Sequence, residues 1–337
     1  MGWRLTDLES VPKNGLKVFS AFSCGGGSCM GYKLAGYDVV GYCEFDPKMA
    51  EMYDKNFNTR HRFVMDMRDF KWLQNYPDDL MNLDILDGSP PCSVFSIAGK
   101  REDDWRRQRR FTEGTMEQSL DDLFFHFIEA AARLKPKVVI CENVTGLLIG
   151  NARGYARWIV DRFMEAGYEV QMFGLNASTM GVPQARERIF IICRRSDLGF
   201  PKLEMRFNEP PILFKDVRSE HGKPVSRYRA EVLKKKMRTD RDVSDILRRV
   251  YGQQKEFNSS IFWDDEVGRT IVSGGSLFRA YDDSYLSDAD FIACQTFPED
   301  FYFNGNPVQY VCGMSVPPVM MKRIAEEIYK QWFGGVS

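Results

Sequence analysis

A thiol, a carboxylate and two guanidinium groups stand at informative points of this chain. They are Cys92 in GSPPCSVFS (88–96), Glu142 in CEN (141–143), and Arg186 and Arg188 in QARER (184–188). Each does chemistry only in company. A thiol attacks as its thiolate, which nearby positive charge or helix-end amides must favour. Pro90 and Pro91 fix φ at two successive positions and bias the preceding residues toward extended backbone, so Cys92 is expected on a rigid turn. An ionised carboxylate beside a thiolate repels it, whereas one that carries or gains a proton can serve as a donor or an acid. Arg186 and Arg188 alternate to one side of an expected strand. A nucleophile, an acid and an arginine pair on neighbouring strands are what attack on an electron-poor heterocycle needs. The plainer reading of Cys92 alone is a buried structural thiol.

The elements that must hold these groups show in the hydrophobic runs. Strands are expected over Leu16–Phe22, Tyr37–Glu44, Arg62–Asp66, Met81–Asp87, Lys137–Cys141, Tyr168–Leu175 and Glu187–Arg194. Helices are expected over Gln118–Leu134 and near Tyr155–Ala166. Strands alternating with helices through residue 195 predict an α/β fold, a doubly wound and mostly parallel sheet. Ligands bind such sheets beyond the carboxyl ends of the strands, where Cys92 and Glu142 both fall. After Arg194 the alternation stops, and a charged stretch broken by Pro201, Pro210, Pro211 and Pro224 reads as a smaller irregular domain. A final helix puts Met321, Ile324, Ala325, Ile328 and Trp332 on one face and is expected to return to the large domain.

A second set of residues lies at the same edge. FSCGGG (22–27) sits between a strand and a helix, where Gly25 and Gly27 let the backbone turn tightly and approach a ligand. G-x-G-x-x-G spacing is poorly matched, and no basic cradle for a pyrophosphate follows. Glu44 ends the second strand, placed to accept ribose hydroxyls, and Asp66 ends the third, placed to accept from an adenine amino group. Each acid alone reads as a surface residue. Together they describe an adenosine pocket without a phosphate site, which suits S-adenosylmethionine better than a nicotinamide dinucleotide.

Composition bounds the rest. The chain has 337 residues, 44% hydrophobic and 28% charged, with no run of apolar residues long enough to span a membrane. Its polar N-terminus lacks a signal core, and eight cysteines then point to free thiols in a reducing, cytoplasmic setting. No C-x-x-C pair occurs and the three histidines are scattered, so no metal site is expected. A net charge of −1 argues against a generic polyanion binder. Residues 218–241, however, carry nine Lys/Arg against three Asp/Glu, either a solvated face or a phosphate-facing surface.

Taken together, FSCGGGS, Glu44, Asp66, GSPPCSVFS, ENV, QARERIFII and, more loosely, CQTFP and GMSVPP resemble the motif series of the cytosine-5 DNA methyltransferases, in order, over roughly residues 16–330. The resemblance implies a Rossmann-like methyltransferase domain at 1–195, a small target-recognition domain at 196–285, and a segment at 286–337 returning to the catalytic domain. It implies base flipping, with Cys92 adding to C6 of an extruded cytosine. Glu142 would hold N3 and the exocyclic amine, Arg188 would stabilise O2, and Arg186 would help hold Cys92. Asn143 would brace the loop that bears Cys92. For the cofactor, S-adenosylmethionine, it implies Phe22 at the adenine, Glu44 on the ribose, Phe45 against the ring, Asp66 with Met67 at the amino group, and Pro91 and Leu123 in the wall.

Residues 96–111 match a mobile loop over the flipped base, where Ser96, Lys100, Arg101, Arg106 and Arg107, with Arg109 and Arg110, would meet double-stranded DNA. Thr270 would contact the backbone at the flipped nucleotide. The implied partner is duplex DNA, with the enzyme a monomer in a prokaryotic or viral host cell and any cognate restriction endonuclease acting separately. Methylation of cytosine in RNA and a catalytically weak DNA-binding relative are the alternatives. Three positions depart from the family pattern: Ser93 replaces a glutamine, Ala289-Asp290 an arginine-glutamate pair, and Met314 an asparagine near the cofactor's amino-acid end.

Overall fold

The computed structural model describes residues 2–91, 122–150, 152–252 and 258–334, and the backbone alone of 109–110 and 117–118. Within it the chain forms two compact units. One comprises 6–175, 187–206 and 321–337; the other 1–5, 176–186 and 207–320. This division is not the consecutive one expected from sequence. Residues 176–186 leave the stretch 1–195, and 286–320 group with 207–285 instead of with the sheet.

The first unit is built on a seven-stranded sheet of β1 (Lys17–Ala21), β2 (Asp38–Glu44), β3 (His61–Val64), β4 (Ile85–Gly88), β5 (Val138–Val144), β6 (Tyr168–Asn176) and β7 (Glu187–Arg195). The strand order is β3-β2-β1-β4-β5-β7-β6. β1, β2, β3, β4 and β5 pair in parallel, and β7 pairs antiparallel with β5. Central strands covered on both faces need apolar side chains throughout; Val18, Phe19, Ile85, Leu86, Val139 and Ile140 are accordingly buried. The order turns back between β1 and β4. In such sheets ligands bind at this reversal, here the carboxyl ends of β1 and β4 from which the glycine turn and Pro90-Pro91 depart.

Helices α1 (Gly27–Leu34), α2 (Pro47–Asn56), α3 (Leu123–Leu134) and α4 (Ala152–Glu165) connect these strands. α3 buries Leu123, Phe124, Phe127, Ile128, Ala130, Ala131 and Leu134 in the main core. Its Phe127 presses on the end of β4 so closely that a Cβ on Gly88 would lie 2.6 Å from the ring. A glycine is thus required where the cysteine turn departs. Burial of one phenylalanine of this kind is worth about 2–3 kcal/mol.

Two local differences from expectation have clear causes. Residues 78–81 form a helical turn, not the start of β4, because Asp78 and Asp79 follow Pro77 in a favourable N-terminal arrangement. β5 continues through Glu142, Asn143 and Val144, because β7 pairs along its whole length.

The second unit has its own small core of Val232, Leu233, Val243, Ile246, Leu247, Ile261, Phe278 and Ala280. Its strands are only two residues long: Ile261–Phe262, Phe278–Arg279 and Ser284–Tyr285 in one sheet, and Gln184–Ala185 with Gly268–Arg269 in another. α5 (Arg227–Leu233) and α6 (Val243–Tyr251) pack beside them, and α7 (Asp288–Gln295) and α8 (Val308–Met314) complete the unit. Four of the nine basic side chains of 218–241 pair with acids from elsewhere in this unit. Arg218 pairs with Asp264, Lys223 with Asp288, Lys236 with Asp283, and Arg238 with Asp265 and Glu266.

Candidate active site

At the end of β1 the chain enters left-handed backbone at two residues that are not glycine, Phe22 (φ 56°) and Cys24 (φ 40°), before Gly26 (φ 71°) caps α1. Such conformations cost free energy and cluster at functional sites. The turn is held from the next strand: Phe22 N–H donates to the Cys43 carbonyl at 2.9 Å, and Cys24 N–H to Glu44 Oε2 at 2.8 Å. Glu44 Oε1 accepts from Asp46 N–H at 3.0 Å. Burial raises the Glu44 carboxyl above its ordinary range, and these amides work against that rise.

Asp66 caps the short helix Met67–Phe70, accepting from Arg68 N–H at 2.8 Å and pairing with the Arg68 guanidinium at 3.0 Å. Arg68 reaches on to Asp122, the residue before α3. Met67 and Leu123 are buried, while Phe22, Phe45 and Pro91 are half-buried, and the Phe22 ring lies 6.1 Å from that of Phe127.

The fit of an adenosyl sulfonium to this edge can be tested on the groups present. Ser23 Oγ is buried in the glycine turn with no hydrogen-bond partner among the described residues, a vacancy that a polar ligand atom would fill. Glu44 takes backbone donors from Cys24 and Asp46, with Phe45 N–H also directed at it, and its carboxylate retains acceptor capacity for a ribose hydroxyl. The residues expected at the cofactor are acidic, aromatic and apolar, and none is basic. That set suits a neutral nucleoside joined to a cation and opposes a pyrophosphate.

One strand over, Glu142 and Arg188 stand diagonally across the β5–β7 ladder, where Phe190 faces Glu142 and Arg188 faces Val144. Diagonal neighbours share a face. Arg188 Nε lies 2.9 Å from Glu142 Oε1, with the side chains 15% and 11% exposed, enough to meet a ligand yet mostly dehydrated. Asn143 Nδ2 donates to the Pro90 carbonyl at 3.1 Å, and its Oδ1 accepts from Val144 N–H at 2.9 Å. Pro90 and Pro91 lack N–H groups, so this end of the turn can be gripped only through its carbonyls. Cys92 itself lies outside the described residues, as do Ser93, Ser96, Lys100, Arg101, Arg106, Arg107 and the side chains of Arg109 and Arg110.

Arg186 is placed differently from Arg188. It belongs to the second unit and is 2% exposed, with Nη1 and Nη2 donating to the carbonyls of Ile271 (3.2 Å) and Gly313 (3.1 Å). Two neighbours that sequence reading passed over complete this lattice. Gln184 donates to the Cys294 carbonyl and to Gln295 Oε1 and accepts from Ile271 N–H, while Gln295 donates to the Ser315 carbonyl. Thr270 Oγ1 donates to the Ala185 carbonyl at 2.7 Å. The QAR, TIVS, CQ and GMS segments thus form one polar framework, and their spelling in the sequence was its signal.

Asp290 takes its counter-ion from Arg279 at 3.4 Å, both fully buried, so the carboxylate beside Ala289 is not left without a cation. Met314 ends α8 and is 43% exposed. Among the described residues, no group of three or more His, Cys, Asp or Glu could hold a metal ion, and no helix is long and apolar enough to cross a membrane.

Comparison with known proteins agrees with this geometry. The family model described as C-5 cytosine-specific DNA methylase matches residues 16–330. The Type II methyltransferase M1.HphI of Haemophilus parahaemolyticus is 26% identical over 94% of this chain and 87% of its own. M.Bsp6I, a Type II methyltransferase of a Bacillus species, is 27% identical over 94% and 99%. A structure described as that of a DNA modification methyltransferase encoded within an Escherichia coli prophage superposes with a TM-score of 0.67 at 18% identity, covering 94% and 99% of the two chains. That likeness bears on the fold. The chain belongs to the C-5 cytosine-specific DNA methylase family and is a DNA cytosine-5 methyltransferase.

Proposed function

We propose that this enzyme methylates C5 of a cytosine flipped out of a specific double-stranded DNA sequence, through a transient bond from Cys92 to C6. The carrying observation is the Glu142–Arg188 pair, set beside an asparagine that grips the Pro-Pro-Cys turn. Glu142, carrying a proton, donates it to N3 and accepts from the exocyclic amine, drawing electron density from C6, and takes the N3 proton back when the ring is restored. Arg188 donates to O2 and offsets the charge that develops there. The Cys92 thiolate adds to C6, and the displaced π pair makes C5 nucleophilic. S-adenosylmethionine, when bound, supplies an electrophilic methyl group to C5. Loss of the C5 proton to water then expels Cys92 as thiolate and restores the aromatic ring, leaving 5-methylcytosine.

Phe22, Phe45, Met67, Pro91 and Leu123 wall the adenosine, Glu44 and Asp66 accept from its polar edges, and the glycine turn at Gly25 and Gly27 meets its amino-acid end. Arg186 acts as a positioning residue. The second unit, with Thr270 on it, serves target recognition, and Ser96, Lys100, Arg101, Arg106 and Arg107 grip phosphates. We read the protein as a monomer in the cytoplasm of a prokaryotic or viral host cell, modifying DNA beside a separately acting endonuclease. The Type II methyltransferases among its relatives support that setting.

Methylome sequencing of DNA from cells expressing the chain, with Cys92→Ala as control, should reveal 5-methylcytosine in one short target string that the variant leaves unmodified. Duplex DNA carrying 5-fluorocytosine at that target should trap the enzyme in a denaturant-resistant complex, because fluorine cannot leave as a proton does. A methylated target without such trapping would overturn the Cys92 addition.

A further inference from the structure

One buried acid has no part in the scheme above. Asp87 is the third residue of β4, 4% exposed, and lies between β1 and β5 in the middle of the sheet. It sits opposite Ser20 in the β1–β4 register and opposite Ile140 in the β4–β5 register. Its Oδ2 accepts from Ser20 Oγ at 3.2 Å and its Oδ1 from Tyr32 Oη at 3.1 Å, and Ser28 lies near it on α1. The other titratable groups facing it are Cys29 on α1 and Cys141 and Glu142 on β5. Among the described residues its hydrogen-bond partners are hydroxyls, and it forms no ion pair with a lysine or arginine.

A carboxyl group in the middle of a sheet core, held by hydroxyls and no cation, costs stability, and apolar side chains surround it. Its partners explain the placement. Ser28 lies in the first turn of α1, directly after Gly27, and Tyr32 lies one turn further along. Ser20 is the second residue before Phe22. Asp87 itself precedes Gly88, from which the turn toward Pro90 and Pro91 departs. One side chain therefore ties the helix that opens the adenosine edge to the strand that presents the cysteine turn.

We propose that Asp87 is a positioning residue for methyl transfer: through Ser20 and Tyr32 it fixes the glycine turn of the cofactor edge in register with β4. The inference rests on the cofactor reading given above, and it concerns the grip on the cofactor more than the chemical step. Asparagine at 87 keeps both the shape and a bonding pattern that the two hydroxyls can satisfy. Alanine leaves buried hydroxyls unmet and α1 free to shift.

The test is binding of S-adenosylmethionine by the purified full-length chain, measured by calorimetry without DNA, together with KM for the cofactor and kcat on duplex DNA. Asp87→Ala should weaken binding and raise that KM about tenfold with a smaller change in kcat, as expected when buried hydrogen bonds are left unmade. Asp87→Asn should return both to within about threefold of wild type. Because Asp87→Ala removes core contacts and could fail to fold, Tyr32→Phe provides a milder arm, with a rise of about threefold. Unchanged cofactor affinity in folded Asp87→Ala, or in Tyr32→Phe where the alanine variant does not fold, overturns the proposal, as does an Asp87→Asn variant no better than alanine. If wild type binds no S-adenosylmethionine, the cofactor reading fails instead, and the two failures are told apart.

Discussion

Asp290–Arg279 and Glu142–Arg188 are both carboxylate–guanidinium pairs largely shielded from water, and they are built differently. In the second unit, Asp290 and Arg279 are wholly enclosed, and the carboxylate is saturated. It accepts from Ser219 N–H (2.7 Å), Ser219 Oγ (3.0 Å) and Ser287 N–H (2.8 Å) besides Arg279, which also donates to the Glu220 carbonyl and pairs with Asp282. In the sheet unit, Glu142 meets Arg188 through one contact, and Glu142 Oε2 has no partner among the described residues. A saturated carboxylate holds a fold. One with lone pairs to spare, beside a partly exposed guanidinium, is open to a third party.

The contrast is broken most directly by neutralising one acid from each pair. Glu142→Gln is expected to lower kcat by about 10²–10³-fold, the usual contribution of a positioned acid, while denaturant midpoints move little. Asp290→Asn should do the reverse. It leaves Arg279 buried with a weakened counter-charge and costs about 3 kcal/mol of stability, with turnover of the remaining folded enzyme near wild type. Urea titrations and single-turnover rates on the same preparations separate the two. A Glu142→Gln enzyme that unfolds early but turns over normally would reverse the assignment.

Asp87 sharpens the comparison, because it is a buried acid with no cation at all. Burial pushes its carboxyl up to about 7. The unfolded chain releases that proton near pH 4 and the folded chain holds it to near 7, so the native state binds more protons across that window. Stability contributed by this proton is therefore present below about pH 4, falls as pH rises toward 7, and is absent above. Asp87→Asn cannot ionise. Its melting temperature relative to wild type should improve between pH 5 and pH 8, by the equivalent of on the order of 3 kcal/mol. A gap that stays constant across those pH values would contradict the buried, protonated carboxyl.

The smallest expected effect concerns the glycine turn. Cys24 holds φ 40°, a region that costs a side-chain-bearing residue about 1 kcal/mol relative to glycine. Cys24→Gly should recover up to about that amount in a denaturant titration, and cofactor affinity should be unaltered.

Much of the sheet unit could be read ahead of the structure. Its strands are continuous apolar runs, and their carboxyl ends coincide in space because parallel strands run the same way. Glu142 and Arg188 met as the spacing of their strands implied. Periodicity is a local signal, however, and what it missed is not local. Arg186 and Gln184 find their partners 85 to 127 residues away, at Ile271, Cys294, Gln295 and Gly313. Nothing in QARER states that one arginine faces carbonyls and the other a carboxylate. Asp87 looked like an ordinary strand end because its hydroxyl partners come from another strand and a helix. The acidic partners of Arg218, Lys223, Lys236 and Arg238 lie at 264–266, 283 and 288, too far along the chain for the local charge balance of 218–241 to reveal them.

The backbone crosses between the two units five times, after residues 5, 175, 186, 206 and 320. Transplanting the second unit between relatives is consequently not a matter of lifting out one cassette. A graft of 207–285 alone would part Ile271 from the native Arg186 and Gln184, the two side chains that also bond Gly313, Cys294 and Gln295. Transplants that bring 176–186 and 286–320 along keep that lattice whole, and they mark the smallest portable piece of this unit.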